Sequence, residues 1–425
     1  MIGILIACFA ILAILGVPIA VCLGVASIIV MLLHPAFPLI TVAQRMITGI
    51  DSYVLISVPL FMLAGSLMNE GGITDRIFGF ARALFGHIRG GLGHVNVVAS
   101  MIFAGMSGSA VADAGGLGIV EIKAMDDQGF PREFSAAITC ASSAIGPIIP
   151  PSIPMLIYAA IAGVSPGKLF LAGFVPGVLM GIALMIAIIV LSLFNDYPRD
   201  PRSTIRQIAR SFADAFLCLL APVIIMGGIM SGVFTPTEAA AVAAVYAFIL
   251  GFLVYRTIHL KDLPRIIVDT AVTTAVVMII VSASASFSWI LLIERAANVL
   301  VAGILQLTTD KNLILLWLNI VMLILGCFME NGVLLILLTP LFLPIAVSLN
   351  VDLIQFGVIM VLNLMIGVVT PPVGMSLFVV SKVSGLSVGT IGKASIPFII
   401  PLIAVLALVT YIPAISLWLP NLFMK

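Results

Sequence analysis

Two long apolar stretches of the chain are each interrupted near the middle by a Pro-Pro pair, one in each half: Gly146-Pro147-Ile148-Ile149-Pro150-Pro151-Ser152 and Gly367-Val368-Val369-Thr370-Pro371-Pro372-Val373-Gly374. Proline lacks an amide donor and clashes with the preceding helical turn, so a helix that meets two of them stops. Inside a bilayer the freed carbonyls and amides must find protein, water or an ion, because hydrocarbon offers them nothing. Interruptions at corresponding places in two halves point to the binding site of a secondary transporter.

Composition puts these stretches in lipid. The chain is 62% hydrophobic and 9% charged, against roughly 25% charge in a soluble domain, and its mean hydropathy is +1.31. A net charge of +1 without a long basic run gives no reason to expect nucleic acid or a polybasic lipid anchor. Cys8, Cys22, Cys140, Cys218 and Cys327 sit in apolar runs without CxxC spacing and read as small buried hydrophobes. The N-terminus is apolar from Ile2 but has no charged n-region, so a retained helix is expected there.

Residues 2 to 33 are too long for one simple span, and Gly16-Val17-Pro18 divides them; the same order recurs at Gly232-Val233-Phe234-Thr235-Pro236. Both places predict a tight helix-turn-helix. Two segments behave differently from plain spans. Gly91 to Ala124 contains Ser107-Gly108-Ser109 at its middle, and Leu313 to Val347 contains Glu330-Asn331-Gly332; each can enter and leave the membrane by one face. Counting Lys and Arg as cytoplasmic places Arg76, Arg82 and Arg89, the basic stretch Arg199 to Arg210, and Lys382 and Lys393 on one side, and gives the halves opposite orientations.

The expected fold is therefore an all-α polytopic membrane protein, an inverted repeat with two re-entrant helical hairpins and two Pro-Pro-broken helices. The first repeat, 1–195, holds scaffold helices in 1–70, an interfacial amphipathic arm at 73–89, a hairpin at 91–124, a broken helix at 133–162 and a helix at 169–194. A cytoplasmic basic linker, 196–212, follows. The second repeat, 213–425, holds scaffold helices in 213–293, an arm at 294–310, a hairpin at 312–348, a broken helix at 353–382 and a helix at 388–421.

Hard cations such as Na⁺ prefer oxygen, and unwound backbone presents carbonyls. The tip Ser107-Gly108-Ser109 is expected to meet Gly146-Pro147 and Pro150-Pro151-Ser152, and Asn331-Gly332 to meet Val369-Thr370-Pro371. Half-helix N-termini there offer amides to a substrate carboxylate; the bland reading makes each Pro-Pro a packing kink. Asp113 and Glu330 are carboxylates in segments expected within the bilayer, where charge is costly unless solvated or paired. Arg295 is the best cation for an anionic substrate, although its place at the end of a span also suits interfacial anchoring. Trp289, Trp317 and Trp418 read as interfacial anchors. Gly105-Met106-Ser107-Gly108 matches a serine-nucleophile pattern, but the four histidines lie in or near connecting loops, leaving an intramembrane serine hydrolase a remote alternative. No phosphate-binding or dinucleotide motif is present.

Phe103-Ala104-Gly105-Met106-Ser107-Gly108-Ser109-Ala110-Val111-Ala112-Asp113, the Gly146–Ser152 break, Thr370-Pro371-Pro372-Val373-Gly374 and Thr339-Pro340-Leu341-Phe342-Leu343-Pro344 together resemble the large membrane subunit of tripartite ATP-independent periplasmic (TRAP) transporters. The resemblance covers essentially the whole chain. It implies a Na⁺-driven, elevator-type importer of an organic acid in the bacterial inner membrane, without an organic cofactor and not an enzyme. Implied partners are a small four-helix membrane subunit, a soluble periplasmic substrate-binding protein and membrane lipids. Ion roles carry over to Ser107, Gly108, Gly146, Pro150, Asn331, Gly332, Val369 and Thr370, and substrate roles to Ser109, Asp113, Ser152, Arg295 and Glu330. Carboxylates at Asp113 and Glu330 would accept hydrogen bonds from a sugar acid such as sialic acid and repel a C4-dicarboxylate, a weak lean toward the former. An ion-coupled carboxylate transporter that needs no binding protein is the alternative.

Overall fold

In the computed structural model, residues 1–33, 38–296, 308 and 310–424 are described, and among them every regular element is a helix. In chain order these are α1 (Ile2–Ile14), α2 (Ile19–Leu33), α3 (Ile40–Ile50), α4 (Tyr53–Glu70), α5 (Ile73–Phe85), α6 (Gly91–Ser107), α7 (Ala110–Gly115), α8 (Leu117–Asp127), α9 (Arg132–Ser143) and α10 (Ile153–Ala162). They continue as α11 (Pro166–Phe194), α12 (Ile205–Met230), α13 (Pro236–Ile249), α14 (Leu263–Ile293), α15 (Lys311–Gly326), α16 (Asn331–Ser348), α17 (Leu353–Val368), α18 (Met375–Ser384), α19 (Val388–Tyr411) and α20 (Pro413–Phe423). Seven of the described helices are long and apolar enough to cross a membrane. Outward side chains such as Val272, Val276 and Ile279 of α14 are more than half exposed and suit a lipid solvent.

Local chemistry explains most helix ends. Gly16 and Gly232 turn the two predicted helix-turn-helix units in left-handed backbone at φ 79° and 72°. Thr235 then starts α13 with a capping box closed by Glu238. A second capping box, Thr204 with Gln207, starts α12 at Ile205, so helix reaches into the stretch expected to be linker. Proline at 413 divides the expected 388–421 helix into α19 and α20. The first hairpin runs to Asp127, three residues beyond its expected end. The arm at 73–89 forms α5, which buries Ile73, Ile77 and Ala81 against α6 and α12; its counterpart at 294–310 lies largely outside the described residues.

Helix α14 packs along α2 and α3, α13 packs along α4, and Leu23, Val30, Val42, Phe287 and Ile290 form a small core separate from the main one. The hairpins and broken helices interlock across the halves: α10 lies against α16, and α18 lies against α7 and α9. Ser143 Oγ donates to Ser376 Oγ at 3.3 Å, and the buried Tyr158 hydroxyl donates to Leu353 O at 2.8 Å. The halves are therefore docked on each other through these helices.

The linker is pinned to this frame. Arg82 on α5 bonds both carboxylate oxygens of Asp200, at 2.8 and 3.1 Å, and Gln128 after α8 donates to the same carboxylate. Asp200 raises the Arg82 guanidinium above its ordinary range, with partial burial opposing. Because the Arg82 side chain is 42% exposed, Arg82→Ala is expected to cost only about 0–1 kcal/mol. Thermal unfolding of the variant should show a small loss that shrinks as salt is raised.

Candidate functional site

The first tip meets the first break as the sequence suggests. Helix α6 ends at Gly108, whose φ of 60° suits glycine, and a Cβ there would lie 2.6 Å from Pro151 O. A Cβ on Gly146 would lie 3.4 Å from Ser109 O, so the tip touches both ends of the break. Ser109 caps α7 by accepting from Ala112 N, and Ser152 caps α10 by accepting from Met155 N at 3.2 Å while donating to Pro147 O. Ser107 is different. It is 4% exposed, and its hydroxyl has no hydrogen-bond partner. Helices α4 and α12 close in from behind, with Gly65 of α4 against Ser107 Cα and Pro222 of α12 against Gly105. Gly65 and Pro222 stand in no motif that the sequence reading used.

The second junction forms one turn earlier than expected. Cys327 O accepts from both Val373 N and Gly374 N at 3.2 Å, and Gly326 packs on Gly367 so closely that a Cβ on Gly367 would lie 2.7 Å from Gly326 Cα. The tip therefore reaches the break through Gly326 and Cys327. Asn331 joins through Met365, toward whose sulfur its amide points at 3.5 Å, and its Oδ1 accepts from Gly332 N at 2.9 Å. Thr370 Oγ1 donates back to Ile366 O at 2.6 Å, and Val369 is fully buried. Both Pro-Pro bonds, Pro150-Pro151 and Pro371-Pro372, are cis.

The expected substrate residues fall in four settings. Ser109 and Ser152 sit at helix N-termini in the first junction. Glu330 caps α16, accepting from Val333 N at 3.0 Å, so one carboxylate oxygen is held over its own helix start. Arg295 is exposed at the end of α14, in left-handed backbone at φ 53°. Asp113 is 1% exposed and sealed behind the first tip. For a serine hydrolase, His94 would have to reach Ser107, yet the two stand near opposite ends of α6, about 20 Å apart at the helical rise.

The family model for the tripartite ATP-independent periplasmic transporter DctM component matches residues 6–415. The chain belongs to this family. It is 44% identical over 409 residues to the sialic acid TRAP transporter large permease protein SiaM of Vibrio cholerae, covering 96% of both chains. It is 41% identical over 399 residues to the C4-dicarboxylate TRAP transporter large permease protein DctM of Pseudomonas aeruginosa, covering 94% of this chain and 93% of that one. The fold is also similar to the crystal structure of the YdaH transporter of Alcanivorax borkumensis, with a TM-score of 0.65 at 13% identity over 95% of this chain and 96% of that one. The protein is thus a TRAP large permease of the inner membrane, a transporter component rather than an enzyme.

Proposed function

We propose that this permease imports an organic acid against its gradient by coupling it to Na⁺, with the two tip-and-break junctions as the ion sites. The observation that carries the reading is the first junction: a buried, unpartnered Ser107 hydroxyl beside the carbonyls of an unwound break. Ser107, Gly108, Gly146 and Pro150 supply oxygens at one site, and Val369 and Thr370 at the other, where Gly326 and Cys327 join Asn331 and Gly332. Na⁺ is cargo here. The interlocked hairpins and broken helices move as one body against the scaffold helices, and glycine against backbone at Gly65 and Ser107 gives that boundary a smooth surface.

Substrate arrives from a soluble periplasmic binding protein, and a small four-helix membrane subunit enlarges the scaffold. Ser109, Ser152 and the free side of Glu330 suit a hydroxylated sugar acid, with Arg295 as a peripheral cation. Relatives named for sialic acid and for C4-dicarboxylates are nearly equally similar, so this lean rests on the hydroxyls and the carboxylate alone. Counterflow in proteoliposomes tests it: labelled sialic acid should exchange faster than labelled succinate, and the reverse order would sink the lean. Leaving out the binding protein should stop uptake; unchanged uptake would favour a transporter that needs none.

A further inference from the structure

The first arm of the second hairpin is tied to its broken helix by buried amides that belong to neither junction. Asn363, fully buried on α17, donates to Asn319 O at 2.9 Å and to Asn319 Oδ1 at 2.7 Å on α15. Asn319 donates onward to Thr410 Oγ1 of α19 at 3.1 Å, and to Leu315 O of its own helix at 3.0 Å. Gln355, about two turns before Asn363 on α17, donates to Val409 O and Thr410 O, each at 3.1 Å, and so satisfies carbonyls in the last turn of α19. Asn319, Gln355, Asn363 and Thr410 are each 7% exposed or less. Four side chains thus tie three helices together.

These bonds stand in line with the second junction. Helices α15 and α17 pack side by side, and toward the tip Asn319 and Asn363 are followed on them by Gly326 and Gly367, which touch through bare backbone. Beyond these lies Cys327, whose carbonyl holds the Val373 and Gly374 amides. Glycine lets the helices approach but offers no group that fixes how far one slides along the other. A donor bonded to two oxygens of one residue does fix it, because a slide of about 3 Å, two residues of helical rise, is more than such bonds tolerate. The first half repeats the device with different groups. Asn96 of α6 donates to Thr139 Oγ1 of α9 at 2.7 Å and to Glu121 Oε2 at 2.8 Å, and its Oδ1 accepts from Ser142 Oγ at 2.7 Å. Again an asparagine on the first arm of a hairpin holds the first half of a broken helix.

We propose that Asn363, acting through Asn319, is a positioning residue of the second junction: this amide clamp sets the register of α15 on α17 and so keeps Cys327 O against the Val373 and Gly374 amides. Thr410 steadies the clamp from a third helix, since its hydroxyl accepts from Asn319 and its carbonyl accepts from Gln355 of α17. The clamp stands on these contacts alone. Its effect on ion dependence rests on the reading of this junction as a sodium site.

Amide hydrogen exchange of the full chain in lipid, without substrate or Na⁺, tests the clamp. Pro371 and Pro372 have no amide, so a fragment over 371–374 reports on Val373 and Gly374 alone. Asn363→Leu, which keeps a similar volume and removes the donor, should speed exchange there by about tenfold. The amide of Met155, which Ser152 holds at the first junction, should exchange as in wild type. Thr410→Val should give a smaller increase at the same two amides, and decides the matter if Asn363→Leu fails to fold. No local increase, or an equal increase at Met155, overturns the clamp. Uptake into proteoliposomes tests the positioning role: Asn363→Leu should raise the Na⁺ concentration for half-maximal uptake by about threefold or more, with the maximal rate at saturating Na⁺ near wild type. Faster exchange with an unchanged Na⁺ dependence overturns that role. If wild-type uptake needs no Na⁺, the sodium reading falls, and the exchange result alone decides for or against the clamp.

Discussion

Gly367→Ala is expected to cut the initial rate of substrate uptake by at least about tenfold, because the added Cβ would lie 2.7 Å from backbone carbons of Gly326. No flexible side chain can yield there. Relief requires α15 or α17 to move, and that movement would pull Cys327 O away from the Val373 and Gly374 amides it now binds. Two amides, that of the buried Gly374 among them, would lose their acceptor. Gly385, just past the end of α18, with open space around its Cβ position but φ at 72°, makes a suitable control: Gly385→Ala strains only its own backbone and should leave uptake largely intact. Equal losses in both variants would deny the second junction any special role.

Ser107→Ala is expected to raise the Na⁺ concentration for half-maximal uptake by about tenfold or more while leaving the maximal rate at saturating Na⁺ close to wild type. The hydroxyl is buried and bonds to nothing in the protein. Its removal would therefore be neutral or mildly stabilising if it served only packing. Loss of an ion ligand predicts the opposite pattern, with intact folding and weakened ion dependence. Measuring uptake over a range of Na⁺ in proteoliposomes separates the two, and an unchanged half-maximal concentration would remove Ser107 from the ion site.

Much of the first junction could be read from the sequence, because it is written in residue types that break helices. Pro150-Pro151 ends one helix, Gly108 ends another in left-handed backbone, and Ser109 and Ser152 are hydroxyl caps directly before helical runs. The second junction was less legible. Its contacts are the carbonyl of Cys327 and the bare backbone of Gly326 and Gly367, and a cysteine at the end of an apolar run signals burial rather than a hydrogen-bonding carbonyl. Glu330 drew attention as an intramembrane charge, yet part of its role is local, as the cap of α16.

Other features lay beyond single-sequence reasoning for a spatial reason. Glu121 has no place in the sequence reading, because what marks it is spatial: Asn96 of α6 donates both to it and to Thr139 of α9. The interlock of α10 with α16 and of α18 with α7 likewise depends on how the halves dock, which hydropathy within either half does not encode. Helix α20 follows from one proline at 413 within a run apolar enough to be taken as a single span.

The most direct test of the central claim is uptake of labelled substrate into proteoliposomes holding the permease, its small subunit and the periplasmic binding protein, driven in turn by a Na⁺ gradient and by a proton gradient. Accumulation with inward Na⁺, and none with the proton gradient alone, is the predicted result. Full accumulation on the proton gradient without Na⁺ would contradict the assignment of the two tip-and-break junctions as sodium sites.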